Sequence, residues 1–380
     1  MNNEKVKALE KKLKVDKIVI IILSVVLGLG MLGGMSLTFM YFNRNNAITR
    51  KFVTIARNTK NNIMIKISDI DKNYKENNHN ATSKLKLTSA YGDNQGTHPK
   101  ILYFKDGWNG YKYWLVFSPY PFSDDKRENP HIKVSNDLVN FTEPKGFENP
   151  LEDFPENYNS LKVYNSDPHL VYNSDTNELE CYYRFVNDKE DKVIVYRRTT
   201  KDGINWTPKE EILKSQRSKK DYVSFAIIYN DGLYEMWYVD KNNILTYENS
   251  TDGKTYDNIK RIKLNYFNPG LKTWHLDVIK TDIGYEMITV AFEKWSGRAS
   301  MSLYYTASND NENWKVAQAI IKPSNISWDN GGLYRSTFIK IDGIYYVYYS
   351  GISKDGARGI GLSYGEDIYN LKGYNGKITN

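Results

Sequence analysis

Residues 229–239 read "YNDGLYEMWYV" and contain the pattern that decides the fold: an apolar strand, an acidic turn at Asp231 and a strand rich in tyrosine. The same pattern occurs five times between residues 98 and 372. The other four copies are "YFKDGWNGYKYWLVFS" (103–118), "YNSDTNELECYYRF" (172–185), "KTDIGYEMITVAF" (280–292) and "KIDGIYYVYYS" (340–350). Recurrence of one strand–turn–strand unit at a regular spacing indicates a repeat architecture.

A second turn follows in each unit and supports this interpretation. The turns are "SNDLVNF" (135–141), "TKDGINW" (200–206), "STDGKTY" (250–256), "SNDNENW" (308–314) and a degenerate "SYGEDIYNL" (363–371). We expect their aspartates, Asp137, Asp202, Asp252 and Asp310, to cap tight turns with their side chains, with the last aromatic packing beneath the strands. Two turns and short β-rich segments in each unit are typical of four-stranded propeller blades.

The sequence therefore predicts an all-β fold, a five-bladed β-propeller, over residues 84–380. The predicted blades cover 98–143, 166–208, 222–263, 273–321 and 333–372. Segment 84–92 is a candidate outer strand that closes the ring onto blade 5, and the loop 144–164 should lie over one face.

An uncharged segment precedes the repeats. Residues 18–42 form 25 residues without a charge, longer than the roughly 20 apolar residues that cross a bilayer. We interpret them as an uncleaved single-pass transmembrane helix between a cytoplasmic tail (1–17) and a helical stalk or linker (43–83). The flanking basic residues nearly balance, and we expect the propeller to be extracytoplasmic.

The charge and composition of the chain limit the classes of binding partner that we expect. The net charge of +7 is spread along the chain, with no dense basic run beyond the flanks of the uncharged segment. We expect these basic flanks to contact the lipid bilayer, and we expect no contact with nucleic acid. Gly30 and Gly34 form a GxxxG pattern, which is compatible with a homodimer through the transmembrane helix but is common in glycine-rich spans. Cys181 is the single cysteine, which excludes an intrachain disulfide. The 31 tyrosines suit both half-buried strands and sugar faces.

Polar residues stand at the starts of the five inner strands, where the apolar runs begin. They are His98, Asp167, Ser224, His275 and Arg335. Because the inner strands of a propeller converge on its axis, we expect these side chains to line one pocket with Asp277, which faces the same side of its strand as His275. Buried polar groups on an axis need partners or a ligand.

Here the chain resembles a known family. The five-blade period, the strand start "SDPHLVY" (166–172) and the S-x-D-x-x-x-W turn (308–314) are similar to the furanosidase-type propellers of glycoside hydrolase family 43. The resemblance implies a polysaccharide or oligosaccharide substrate and three carboxylates at the starts of the first three inner strands. Only Asp167 matches, in the position of the carboxylate that modulates the pKa of the others; His98 and Ser224 occupy the other two positions.

Glycoside hydrolysis needs two carboxyl groups in different protonation states. The candidates to replace the missing pair are Glu128, Asp277 and Glu293, acting with Asp167. The residues expected to bind substrate are His98, Ser224, Trp274, His275, Trp295 and Arg335. Trp295 is suited to stack on a sugar ring, and Arg335 either clamps an anionic group or forms a salt bridge with Asp167.

The leading hypothesis is a membrane-anchored, glycosidase-like protein that acts on a cell-surface polysaccharide and needs no cofactor. One alternative keeps the pocket as a non-catalytic site for glycan binding or polysaccharide assembly, and another makes the propeller rim a protein scaffold. A further alternative makes His98 and His275 ligands of a divalent ion together with Asp167 or Asp277.

Overall fold

Five antiparallel sheets make up the part of the chain that the computed structural model describes, namely residues 79–155, 163–240, 242–293, 300–325 and 328–378. The strands of blade 1 are β1 (Gly96–Trp108), β2 (Tyr111–Pro119) and β3 (His131–Ser135). Those of blade 2 are β4 (Val163–Asn173), β5 (Glu178–Asn187), β6 (Lys192–Thr200) and β7 (Glu210–Gln216). Those of blade 3 are β8 (Val223–Asn230), β9 (Leu233–Val239), β10 (Leu245–Ser250) and β11 (Asp257–Ile262).

Blade 4 contains β12 (Leu271–Thr281), β13 (Gly284–Glu293), β14 (Ser302–Ser308) and β15 (Gln318–Ile321). Blade 5 contains β16 (Gly332–Ile341), β17 (Ile344–Ile352), β18 (Arg358–Gly365) and β19 (Lys372–Gly373). Two single-turn 3-10 helices, Pro121–Ser123 and Asp125–Arg127, lie in the loop between β2 and β3.

The first strands of the five sheets form a closed ring. Contacts join β1 to β4, β4 to β8, β8 to β12, β12 to β16, and β16 back to β1. Within every sheet the strands follow one another in sequence order, so each blade is a meander. The predicted five-bladed propeller is confirmed.

Apolar side chains fill the junctions between neighbouring blades. Both faces of the second strands are covered, as the nearly continuous burial of β2, β5, β9 and β17 shows. Five apolar clusters each join residues of two adjacent blades. Tyrosine suits these junctions because its ring packs between sheets while its hydroxyl reaches a polar partner.

Three buried glutamates, which we call the inter-blade glutamates, accept hydrogen bonds from tyrosine hydroxyls at these junctions. Glu180, Glu235 and Glu286 each lie near the start of the second strand of a blade. Each accepts hydrogen bonds from two tyrosine hydroxyls, one of them on the following blade, at 2.7–3.0 Å. The second tyrosines are Tyr234, Tyr285 and Tyr345, at the start of the next second strand.

The second turns behave as predicted. In the turn of blade 2, Asp202 Oδ1 accepts hydrogen bonds from the backbone amides of Ile204 (2.8 Å) and Asn205 (2.7 Å). Asp137, Asp252 and Asp310 make the same pair of bonds in their own blades. Gly203 has φ +75°, and a Cβ there would lie 2.1 Å from the ring of Trp114, so only glycine fits beside that ring.

The ring is closed differently from the prediction. Segment 84–92 contains no strand, although Leu85 donates a backbone hydrogen bond to Ile360 of β18 (2.7 Å) and so lies against blade 5 as expected. Blade 1 has three strands among the described residues, and an isolated bridge between Val134 and Thr142 stands in the place of its fourth.

The predicted tail (1–17), transmembrane helix (18–42) and nearly all of the stalk (43–83) lie outside the described residues. In the part of the chain that the structure describes, no helix has the length and apolar character needed to cross a membrane.

Candidate functional site

The polar residues predicted at the inner-strand starts lie at irregularities in the strand pairing. Near its first residues, each inner strand shifts register against the second strand of its blade. Such a shift disrupts the regular pairing and changes the direction in which the local side chains point. His98, Asp167, Ser224, His275 and Arg335 all lie at or inside these shifts, and none is more than 2% exposed. The pairing defects thus present five polar side chains where the inner strands begin.

Three of the five residues have a left-handed backbone. The φ angles are +51° at His98, +50° at Asp167 and +51° at Ser224. A non-glycine residue in this region is uncommon, and such strain is concentrated at functional sites. The first three inner strands therefore share one strained geometry at equivalent positions.

A candidate metal centre forms at the strand starts of blades 1, 2 and 4. His98, Asp167 and His275 each offer one ligand atom, and these atoms lie within 4.8 Å of one another. His98 Nε2 lies 3.4 Å from Asp167 Oδ1, and neither atom makes a hydrogen bond to the described residues. Ligand atoms about 2.0–2.2 Å from a tetrahedral zinc ion lie roughly 3.3–3.6 Å apart. The His98–Asp167 spacing therefore already fits an ion, and any wider spacing in the set, up to 4.8 Å, has to contract when an ion binds.

The ligand types of the His98–Asp167–His275 set are also those of a divalent-metal site. Two imidazoles and one carboxylate, with coordination positions left for water and substrate, suit Zn²⁺ or another first-row divalent ion. The three residues come from three different blades, and for this reason they do not form a metal-binding motif with a fixed spacing in the sequence.

Glu128 orients the imidazole of His98. Its Oε1 lies 3.0 Å from His98 Nδ1, and Ser118 Oγ lies at the same distance from that nitrogen. Burial raises the pKa of Glu128, although the hydrogen bond to His98 opposes the rise. A carboxylate on the far nitrogen of a metal-binding histidine is a recurrent arrangement that fixes the ring and its tautomer. The structure thus joins Glu128 to the cluster, on the side of His98 opposite Asp167.

Two arginines surround Asp167. Arg184 Nε lies 3.5 Å from Oδ2, and Arg335 Nη1 lies 3.7 Å from Oδ1. Burial by itself would raise the pKa of Asp167, but His98, Arg184 and Arg335 lower it well below its usual value. Asp167 is therefore held as an anion, the form that binds a cation. Of the two roles open to Arg335, these distances favour the ion pair.

Asp277 lies in a second polar layer, two residues further along the inner strands. It pairs with Lys100 Nζ at 2.9 Å and accepts a hydrogen bond from Thr337 Oγ1 at 2.7 Å. In the same layer His169 Nδ1 lies 3.0 Å from Arg335 Nη2. Asp277 is thus a fully paired carboxylate beneath His275, and its proposed catalytic role stays a prediction.

Aromatic rings surround the histidines. The ring centroid of Tyr334 lies 5.2 Å from that of His98 and 4.1 Å from that of His275. The guanidinium of Arg358 stacks on Tyr334 (5.0 Å) and on Tyr120 (4.5 Å). Half-buried Trp274 meets His275 edge-on at 5.6 Å. The cluster therefore lies beside rings of the kind that contact sugar faces.

Two other predicted residues are placed differently. Glu293 ends β13, where its Oε1 accepts a hydrogen bond from Asn268 Nδ2 at 2.9 Å. Trp295 lies outside the described residues. Their predicted roles stay predictions.

Three residues around the site, Lys100, Arg184 and Tyr334, were not predicted from the sequence. Lys100 follows His98 by two residues and Tyr334 directly precedes Arg335, so both follow from strand periodicity once the inner strands are fixed. Arg184 comes from the second strand of blade 2 and has no such signal.

The chain is similar to enzymes that act on glycans. It is 27% identical over 323 residues, 70% of this chain, to a Flavonifractor plautii protein named A type blood N-acetyl-alpha-D-galactosamine deacetylase. The chain spans 41% of the length of that curated relative. No family model matches the chain.

Solved structures show the same fold. An N-acetylgalactosamine deacetylase from F. plautii, in complex with blood group B trisaccharide, superposes with a TM-score of 0.69 at 23% identity, covering 77% of this chain and 97% of that one. A thermostable family-43 glycoside hydrolase gives 0.51 at 16% identity (77% and 96% covered). An exo-1,5-alpha-L-arabinanase from a bovine ruminal metagenomic library gives 0.52 at 13% identity (72% and 94% covered). The chain is thus a five-bladed propeller with neighbours in glycoside hydrolase family 43 and a deacetylase relative.

Proposed function

We propose that this protein is a divalent-metal-dependent N-deacetylase that removes acetyl groups from N-acetylated hexosamine units of a polysaccharide or oligosaccharide. The observation that carries the proposal is the buried His98–Asp167–His275 set, two of whose ligand atoms lack hydrogen-bond partners among the described residues. The similarity to a GalNAc deacetylase supports the choice of reaction.

The missing glycosidase carboxylates favour the same conclusion. His98 and Ser224 occupy the positions of two carboxylates that the family-43 resemblance implies. A histidine cannot replace a carboxylate as nucleophile toward a sugar carbon and still leave the required acid–base pair. Histidine is, however, the commonest metal ligand in proteins.

The reaction is hydrolysis of an amide. The oxygen of water bonds to the carbonyl carbon, the carbon–nitrogen bond breaks, and the nitrogen leaves with a proton from water, giving acetate and an amino sugar. A divalent ion bound by the three residues would act as a Lewis acid on the carbonyl and activate water.

Neighbouring residues fix the charge and the orientation of the metal-binding side chains. Arg184 and Arg335 keep Asp167 ionised, while Glu128 fixes the ring of His98 so that Nε2 points at Asp167. Tyr334, Tyr120 and Trp274 supply apolar surface beside the two histidines. Burial of the polar cluster excludes bulk water, which strengthens its electrostatic effects.

The test is to incubate the full chain with polymers of N-acetylglucosamine and N-acetylgalactosamine and to measure released acetate and polymer length. We expect acetate release without shortening, lost with a chelator and restored by Zn²⁺ or another divalent ion. His275→Ala should abolish it. Glu312→Gln, an exposed residue in a second turn, is the control and should be fully active.

Other outcomes select the alternatives. Shortened chains without acetate release would overturn the deacetylase proposal in favour of glycoside hydrolysis. Binding to the polymers without either product would support a non-catalytic glycan-binding propeller, for which the paired state of Asp277 is a favourable observation.

We further propose that residues 18–42 anchor the propeller at a membrane, so that it acts on a cell-surface polymer. The uncharged length of this segment supports the proposal. Membrane fractionation of the full chain, compared with a chain lacking residues 1–42, tests it; equal solubility of the two would contradict it.

A further inference from the structure

The hydroxyl of Ser224 is buried and unsatisfied. The residue is 0% exposed, and Oγ makes no hydrogen bond to the described residues. Its backbone has φ +51° inside the register shift between Val223 and Ala226. Two unfavourable features, a left-handed non-glycine backbone and an unpaired buried hydroxyl, thus coincide at one residue.

The position of Ser224 connects it to the candidate metal centre. It stands on β8, which contacts β4 on one side and β12 on the other. These neighbouring strands carry Asp167 and His275, two members of the metal-binding set. Ser224 also occupies the position on its strand that His98 and Asp167 occupy on theirs, with φ within 1° of both.

Neither feature helps the fold. Glycine would adopt the backbone without strain, and alanine would remove a hydroxyl that must lose its hydration on burial. Strain and unsatisfied polarity that persist at an active centre are expected where the group interacts with a ligand. A serine hydroxyl is a neutral donor, which suits an oxygen atom that becomes negative during a reaction.

We infer that Ser224 is a catalytic residue whose hydroxyl donates a hydrogen bond to the carbonyl oxygen of the substrate's acetamido group. This inference rests on the proposed deacetylase function. The hydrogen bond strengthens as water adds to the carbonyl carbon, because the carbonyl oxygen then takes up the electron pair of the broken π bond. Ser224 therefore stabilises the transition state more than the bound substrate.

The experiment compares the wild type with Ser224→Ala and Ser224→Gly in acetate release, zinc content and melting temperature. We expect kcat to fall about a hundredfold in both variants while KM changes by less than about threefold, as for loss of an oxyanion donor. Zinc content should stay at the wild-type level. The melting temperatures should equal or exceed that of the wild type, because strain or an unpaired hydroxyl is removed.

The control is Ser350→Ala. Ser350 is also 0% exposed with an unpaired Oγ, but it lies on β17, a second strand. We expect wild-type kcat for this variant, which separates the loss of any buried hydroxyl from the loss of the one at the axis.

Three results would overturn the inference: wild-type kcat in Ser224→Ala, loss of zinc from both Ser224 variants, or a fall in melting temperature that parallels the loss of activity. If the first occurs while His275→Ala is inactive, the proposed function stands and only the role of Ser224 fails. If the wild type itself releases no acetate, the proposed function fails.

Discussion

One inner strand of this propeller carries a buried carboxylate, Asp167, at its start, and the second strands of three blades carry buried glutamates at the opposite end of the blades. Both groups are almost fully buried. The inter-blade glutamates Glu180, Glu235 and Glu286 recur in three blades, and each has two tyrosine hydroxyls and a basic side chain within 3.7 Å. Asp167 occurs once, and its Oδ1 has no hydrogen bond among the described residues.

The contrast between the inter-blade glutamates and Asp167 shows how a buried carboxylate with a structural role differs from one placed to bind a ligand. A carboxylate that recurs from blade to blade, accepts two tyrosine hydroxyls and faces a basic side chain serves the repeated junction that contains it. Burial keeps the tyrosines as donors, because it raises the pKa of Tyr247, for example, to about 12. A unique carboxylate with an unpaired oxygen, next to two histidines, is prepared for a ligand that is not part of the chain.

The largest expected effect is on activity at the axis. Asp167→Asn should lower acetate release by at least about a thousandfold, because an amide binds a divalent cation far more weakly than a carboxylate. Circular dichroism and melting should show a folded propeller. Activity within tenfold of the wild type would show that Asp167 is not a metal ligand.

The same variant tests the charge of Asp167. Because its pKa in the folded protein lies below the ordinary value of 3.8, the ionised form contributes stability above that pH and loses it as the pH falls further. The difference in melting temperature between the metal-free wild type and Asp167→Asn should therefore be constant near neutral pH and narrow below pH 3.8. A difference that does not change with pH would contradict the lowered pKa.

The next effect is on stability at a blade junction. Glu235→Ala leaves the hydroxyls of Tyr247 and Tyr285 without their acceptor and Lys280 without its counterion. We expect a loss of about 2–4 kcal/mol in denaturant unfolding with unchanged kcat. Glu235→Gln keeps an acceptor oxygen and should lose less than half as much. A loss of activity without a loss of stability would reverse the assignment of the two regions.

A smaller effect is expected from Glu128→Gln. The amide keeps the shape of the carboxyl but no longer fixes the tautomer and basicity of His98, so zinc affinity and kcat should each fall about 10- to 100-fold. Equilibrium dialysis with zinc measures the first and acetate release the second. Unchanged zinc affinity would place Glu128 outside the metal centre.

The smallest effect belongs to the turns. Asp202→Ala removes the acceptor for two backbone amides and the side chain of Asn205, and should cost about 1 kcal/mol, as for loss of a capping residue. Thermal unfolding measures it, and activity should not change. A cost similar to that of Glu235→Ala would mean that the turns stabilise the fold as much as the junctions do.

Local patterns made the fold predictable. The strand alternation, the acidic turns and the aspartates of the second turns are each encoded within a dozen residues, and so the five blades and their turn caps could be predicted. The irregular segment 84–92 could not, because its conformation depends on a contact with blade 5 at the far end of the chain. The fourth strand of blade 1 is reduced to the bridge between Val134 and Thr142, and no local pattern in the sequence indicated this.

The sequence by itself determined which polar residues begin the inner strands, since each directly precedes an apolar run. Only the tertiary structure decided which of them meet. His98, Asp167 and His275 come together across blades 1, 2 and 4, while Asp277, chosen with the same reasoning, is neutralised by Lys100. Strand periodicity fixes the direction of a side chain along its own blade, but distances across the axis depend on how five blades pack and on where each pairing shifts register.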